Sequence, residues 1–316
     1  MSHFRACGKV NCVIPFLFFL FGIIFGSFLN VCISRIPEGI SIIAQRSRCP
    51  RCQTPIKPYD NIPVLGWILL RGKCRNCHLP ISPMYPLVEF LTGALFVAVY
   101  FTYHAEFVQA LYLPILKSLA FLCLLVILIV TDLRIRILPD AVNWFGFGLG
   151  LAFATRIPPK DPSAYILAHS IGIGIRPQIL LGILNALLGA AFGSLLLWGA
   201  AVLYKLVRKR DGLGMGDVKM MAMVGAFLGV RGAFLTIFLG TLLGSVVGLG
   251  LVSSLFAFGW RRNIAERAHR RGLGSVRSLR WALAAEYQLP LGTFLGIAAI
   301  VLILFAPNII GGPVFH

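Results

Sequence analysis

Long apolar runs separated by short polar and basic stretches set the pattern of this chain. Eight runs predict helices, at 14–34, 86–103, 111–131, 141–155, 179–204, 218–230, 232–258 and 289–306. Crossing a bilayer takes roughly 20 consecutive apolar residues, so 141–155 and 218–230 are short for a complete passage. No segment shows the alternation of a membrane β-barrel. The pattern predicts an all-α polytopic membrane protein of about eight transmembrane helices, with a small cysteine domain between the first two. The predicted organisation is a first span at 1–34, a cytoplasmic four-cysteine domain at 35–85, and a membrane domain at 86–316. The opening PFLFFLFGIIFGSFLNVCI follows Arg5 and Lys9 as a signal peptide would. It is too long for such a segment and continues past Ser27, so it reads as a retained first span.

Composition supports a membrane protein. Of 316 residues 58% are hydrophobic and 13% charged, where a soluble domain carries about 25% charged. The net charge of +18 could suggest a nucleic-acid binder. Its distribution says otherwise, because the cations gather in loops. Residues 35–85 hold eight Lys or Arg against two acids, 259–288 hold seven Arg against two, and KLVRKR lies at 205–210. The intervening loops carry little charge, so the basic loops face the cytoplasm. Membrane lipid is the implied partner, and nucleic acid is not.

Glycines recur four apart at Gly22 and Gly26, Gly189 and Gly193, Gly225 and Gly229, and Gly240, Gly244 and Gly248. This spacing lets helix backbones approach closely in a bilayer.

Two groups carry chemistry. CPRC at 49–52 and CRNC at 74–77 are separated by 21 residues. Two such pairs read as a zinc ribbon, with Cys49, Cys52, Cys74 and Cys77 closing a tetrahedral structural site. Two disulfides or a reduced, metal-free tetrad are the alternatives, disfavoured and left open respectively by a cytoplasmic setting. The second group is a pair of acids. Asp132 ends one apolar run in IVTDLRIRILPD, and Asp217 begins another in GLGMGDVKMM. An acid at a membrane boundary is costly and invites a functional reading. Two carboxylates from different spans at one depth can share a proton and hydrolyse an amide. Gly214 and Gly216 would leave room for a peptide beside Asp217 and permit positive φ. Asp140, after Pro139, reads as a cap for the next helix.

These motifs resemble, in order and over most of the chain, the type IV prepilin peptidase family, aspartic membrane proteases of the GxGD kind. GSFLNVCISRIP at 26–37, the cysteine region at 49–89, TDLRIRILPD, GMGDVKMMAMVGAFLG, and LPLGTFLG at 289–296 carry the resemblance. It implies that Asp132 and Asp217 are the catalytic pair, and that prepilins and type II secretion pseudopilins are the substrates. Their basic leader would be cut after a glycine at the cytoplasmic face of the bacterial inner membrane. The new terminal residue, typically Phe, would then be N-methylated from S-adenosylmethionine. The tetrad accompanies the bifunctional members, and Glu89 and Gly93 in PLVEFLTG resemble a stretch linked to methylation. Pilus or secretion assembly proteins are implied partners. The loops 156–178 and 259–288 depart from the family pattern, and the second suits an interfacial helix on anionic lipid.

A proton-coupled transporter using Asp132 and Asp217 is the alternative from another class. It would place acids deep within spans or show inverted repeats, and the chain shows neither. A presenilin-like protease would pair its motif with Tyr-Asp, whereas Thr131 precedes Asp132 here.

Overall fold

In hydrocarbon every backbone amide must find its partner within the segment, so apolar runs of this length become helices. The computed structural model describes residues 13–43, 47–49, 51–104, 112–157, 163–170, 178–209, 214–257 and 290–306. Cys7, Cys12, the Arg-rich loop 259–288 and part of the 156–178 loop lie outside the described residues. The helices are α1 (Val13–Arg35), α2 (Leu65–Leu69), α3 (Met84–Thr102), α4 (Tyr112–Ile135), α5 (Asp140–Ala154), α6 (Ser163–Ser170), α7 (Gln178–Arg208), α8 (Met215–Ala257) and α9 (Leu291–Phe305). Among the described residues no strand forms beyond the isolated bridges Arg48–Pro55 and Lys73–Pro80.

Among the described residues, five helical stretches are long and apolar enough to cross a membrane: Val13–Arg35, Met84–Thr102, Tyr112–Ile135, Ile179–Arg208 and Met215–Gly250. Eight crossings were expected. The segments 141–155 and 289–306 fall in helices of 15 residues, and 218–230 with 232–258 fall within α8. That last helix is not one rod. Gly229 breaks it at φ 75, ψ −173, a conformation open to glycine alone among ordinary residues. A Cβ on Gly193 of α7 would stand 2.9 Å from the Met221 carbonyl and 3.3 Å from the Ala233 side chain. Those residues would lie about 18 Å apart along a continuous helix. The arms 215–228 and 230–257 therefore fold back on each other.

The glycine spacing does what close packing requires. A Cβ on Gly22 would come 2.6 Å from the Cα of Gly93, and one on Gly26 would come 2.7 Å from the Cα of Glu89, so α1 and α3 meet backbone to backbone. Gly189 and Gly225 do the same for α7 and α8. Between α4, α5 and α8, Gly146 faces Leu124 and Met223, and the rings of Phe121 and Phe227 stack at 4.3 Å. On the other side of the α4–α8 seam, Gly296 of α9 seats Ile129 and Met220. These contacts hold the ends of α4, α8 and α9 together, which is where the acids lie.

Asp140 differs from its expected role. It is the first residue of α5, whose N-cap is Pro139 without a side-chain bond. Its carboxylate instead accepts from Lys219 Nζ of α8 at 2.6 Å. Standing inside the helix rather than ahead of it, Asp140 is free to turn its carboxylate to the neighbouring helix in a charge-assisted bond.

Candidate active site

Asp132 occupies the last turn of α4, and both it and Asp217, in the first turn of α8, are buried. Thr131 turns its hydroxyl back to the Ile127 carbonyl at 2.8 Å. Arg136, at φ 55, then ends the helix and turns the chain into the 136–139 connection. Asp217 donates its backbone N–H to the Gly214 carbonyl at 3.1 Å.

The third participant is the start of α9. Its N-cap, Pro290, has no side chain able to accept a bond, so the first amides of this helix need partners from elsewhere. Asp132 supplies one. Its Oδ2 accepts from the Thr293 amide at 2.6 Å and from the Thr293 hydroxyl at 2.8 Å. Gly292 completes the convergence: a Cβ there would stand 3.1 Å from Asp132 Oδ2 and 3.1 Å from Asp217 Oδ1. The two oxygens thus lie within twice that distance of each other, both against one bare backbone position. Two carboxylates so placed in a low-dielectric setting repel strongly if both are charged.

Gly214 is exposed, and a Cβ on it would lie 3.4 Å from Asp217 Oδ2. Gly216 is different. The Leu138 side chain packs into the space its missing Cβ leaves, at 2.9 Å, and Leu138 reaches Gly292 at the same distance. Neither Gly214 nor Gly216 adopts positive φ. Gly216 therefore seats Leu138 beside the acids, a packing role visible only once the 136–139 connection is folded.

Glu89 and Gly93 sit elsewhere, on the α1–α3 contact. Glu89 is buried, and its Oε2 accepts the Val64 amide at 2.7 Å. Val64 precedes α2 at φ 61, a strained position for a β-branched residue. Gly93 is enclosed by Phe19 and Ile23 of α1, each within 3 Å of where its Cβ would be.

The tetrad is brought together. The four sulfurs of Cys49, Cys52, Cys74 and Cys77 all lie within 4.8 Å of one another. Cys49 and Cys77 are 3.8 Å apart, and Cys52 and Cys74 are 3.9 Å apart. Ligand sulfurs about 2.3 Å from a tetrahedral ion stand about 3.8 Å from each other, so the donor set fits a four-thiolate metal site. A disulfide needs contact near 2.05 Å, and none joins these residues. The two halves are built alike. Cys49 N–H bonds to Thr54 O and Gln53 N–H to Cys49 O; Cys74 N–H bonds to Leu79 O and His78 N–H to Cys74 O. Gln53 and His78 both take φ 56. The sequence carries a signal for this symmetry, since C-x2-C-x2-P-I-x-P occurs at 49–58 and again at 74–83. Hydrogen bonds from Thr54 pull the Cys52 thiol down to about 6. Cys77 is pushed up to about 11, the bond from the Leu79 amide notwithstanding, by burial and the sulfurs around it. Four adjacent thiolates repel one another, and a divalent cation at their centre removes that repulsion.

Residues 20–103 match the Bacterial Peptidase A24 N-terminal domain, and residues 119–249 match the Type IV leader peptidase family. Several curated proteins named prepilin leader peptidase/N-methyltransferase are similar. That of Klebsiella pneumoniae is 38% identical over 229 residues, covering 68% of this chain and 87% of the relative. That of Aeromonas hydrophila is 34% identical over 260 residues, covering 75% and 80%. The Bacillus subtilis protein is 34% identical over 236 residues, covering 75% and 82%. No solved structure matches the chain.

Proposed function

This chain belongs to the type IV leader peptidase family, and from that premise we propose that Asp132 and Asp217 act as one aspartyl pair that cuts the leader from prepilins and type II secretion pseudopilins. The observation that carries the proposal is the approach of both carboxylates to the Gly292 backbone. One carboxylate takes a proton from water as the oxygen attacks the scissile carbonyl carbon, while its protonated partner donates to the carbonyl oxygen. Collapse of the tetrahedral intermediate breaks the C–N bond, and the leaving nitrogen takes up a proton from the pair. Thr293 holds Asp132 in place throughout, with two bonds to one oxygen.

The cut falls at the cytoplasmic face of the inner membrane, after the glycine that ends a basic leader. Two features support that side. Asp132 is followed by Arg134 and Arg136, and Asp217 follows the basic end of α7 with Lys205 and Arg208; basic flanks mark the cytoplasm. The exposed new amine is then N-methylated. S-adenosylmethionine supplies the methyl group when bound, and Glu89, a buried carboxylate beside Gly93, is the anionic group in α3 suited to its cationic end. The four cysteines hold a structural zinc with no coordination position left for chemistry. The domain boundaries follow: a first span at 1–34, the four-cysteine domain at 35–85, and the peptidase domain from 86.

The test uses purified protein in detergent, a synthetic prepilin peptide and S-adenosylmethionine, with products read by mass spectrometry. Wild type should cut after glycine and add the mass of one methyl group to the product. Asp132→Asn and Asp217→Asn should each abolish cutting. If both variants still cut, the aspartyl mechanism is wrong.

A further inference from the structure

The short helix α2 presents apolar side chains outward from the cysteine domain. Ile62 is 45% exposed, Leu65 and Ile68 56%, and Leu69 75%. The opposite side of α2 is fully engaged. Gly66 lies against the Asp60 carbonyl, and Trp67 donates its indole N–H to the Ile81 carbonyl at 3.1 Å while its ring covers Gly72. The helix cannot roll to bury its leucines. A cluster of large apolar groups within eight residues of a loop calls for a partner.

Its depth identifies the partner. The Val64 amide, at the start of α2, bonds to Glu89 of α3 at 2.7 Å. Glu89 is level with Gly26 of α1, and α1 runs on for nine more residues to Arg35. Around this level the membrane helices expose Phe28 at 52%, Leu87 at 57% and Phe90 at 54%. Thus α2 is tied beside the apolar belt and does not stand out in water. Charge completes the argument. Exposed Arg71 and Lys73 follow α2 directly, and residues 35–85 hold eight cations against two acids. Apolar side chains next to cations, beside the first two turns of α3, match the acyl–headgroup boundary of an anionic bilayer.

We propose that α2 is an interfacial anchor: Ile62, Leu65, Ile68 and Leu69 enter the boundary of an anionic bilayer while Arg71 and Lys73 meet its headgroups. The anchor holds the four-cysteine domain flat on the membrane surface, beside the ends of α1 and α3.

The experiment places the full chain in nanodiscs containing a lipid with a photoactivatable carbene precursor high in its acyl chain. Discs are made of phosphatidylcholine alone or with phosphatidylglycerol, and lipid adducts are mapped by mass spectrometry. Adducts should form on 62–69 in the anionic discs and fall about tenfold or more without phosphatidylglycerol, from the two adjacent cations alone. Phe28 and Leu87 should label equally in both. Leu65→Ser with Leu69→Ser should lose the 62–69 adducts. Arg71→Gln with Lys73→Gln, fully surface changes, should lose the dependence on phosphatidylglycerol. Unlabelled 62–69 beside labelled Phe28 would overturn the proposal, and equal labelling in both lipids would overturn the choice of an anionic surface. Labelling that disappears on adding prepilin peptide would assign the face to a protein partner instead.

Discussion

Thr293 bonds twice to one oxygen of Asp132, through its amide at 2.6 Å and its hydroxyl at 2.8 Å, across 161 positions of chain. The acid thereby completes the start of α9, and α9 orients the acid. A helix N-terminus favours negative charge, so the same contact that starts α9 also fixes the orientation of the acid proposed to be catalytic.

Replacing Thr293 by Val removes the hydroxyl and keeps the amide. A hydrogen bond to a charged group contributes about 1.5–3 kcal/mol, which corresponds to a fall of roughly tenfold to a hundredfold in kcat. KM for a prepilin peptide should change little, because Thr293 orients the acid and does not hold the substrate. Thr293→Ser should restore most of the rate. A KM defect with unchanged kcat would contradict this role.

Gly292 has no space for a side chain. Alanine there would put a methyl group 3.1 Å from an oxygen of each acid and 2.9 Å from Leu138. Gly292→Ala should abolish peptide cleavage while circular dichroism shows unchanged helix content. Gly216→Ala, whose methyl would press on Leu138 at 2.9 Å, should reduce activity less, because a leucine side chain can give way and a buried carboxylate pair cannot.

Gly229 carries the reversal of α8 at φ 75. An L-residue held in this region of backbone space is destabilised by roughly 1–3 kcal/mol. Gly229→Ala should therefore lower the thermal unfolding temperature of the detergent-solubilised protein, as followed by intrinsic fluorescence. Gly250→Ala, where nothing lies within 4 Å of the new methyl, should leave it unchanged and serves as the control.

The cysteine site should bind one zinc per chain, measured by elemental mass spectrometry, and Cys74→Ser should lose it. Metal loss should raise amide exchange between residues 47 and 81, where the fold consists of turns, two isolated bridges and the short helices at Pro58–Asn61 and Leu65–Leu69. It should leave α4 and α8 protected, since their amides are satisfied within each helix.

Much of this architecture is legible in one dimension. The helix limits fall within a few residues of the apolar runs: Val13–Arg35 for 14–34, Met84–Thr102 for 86–103, Leu291–Phe305 for 289–306. The cysteine pairs announce their cluster by spacing, and the two acids announce a shared depth by their places at the ends of apolar runs. Other features left no readable trace. Gly229 belongs to a four-residue glycine spacing and looks like a packing residue, yet it is the point of chain reversal. Asp140 follows a proline as a helix cap would, yet it pairs with Lys219.

The sequence by itself determined which segments are helices and which carry ionisable groups. Lipid imposes that locally: each apolar stretch must satisfy its own backbone, and each charge must find an edge or a partner. Only the tertiary structure decided which helix ends meet. Thr293 and Gly292 join the acids because Gly240 and Gly296 let α9 close on α8 and α4, against Leu295 in one case and against Ile129 and Met220 in the other. Such neighbours are chosen by shape complementarity between segments far apart in the chain, and no local pattern of apolar and polar residues records it.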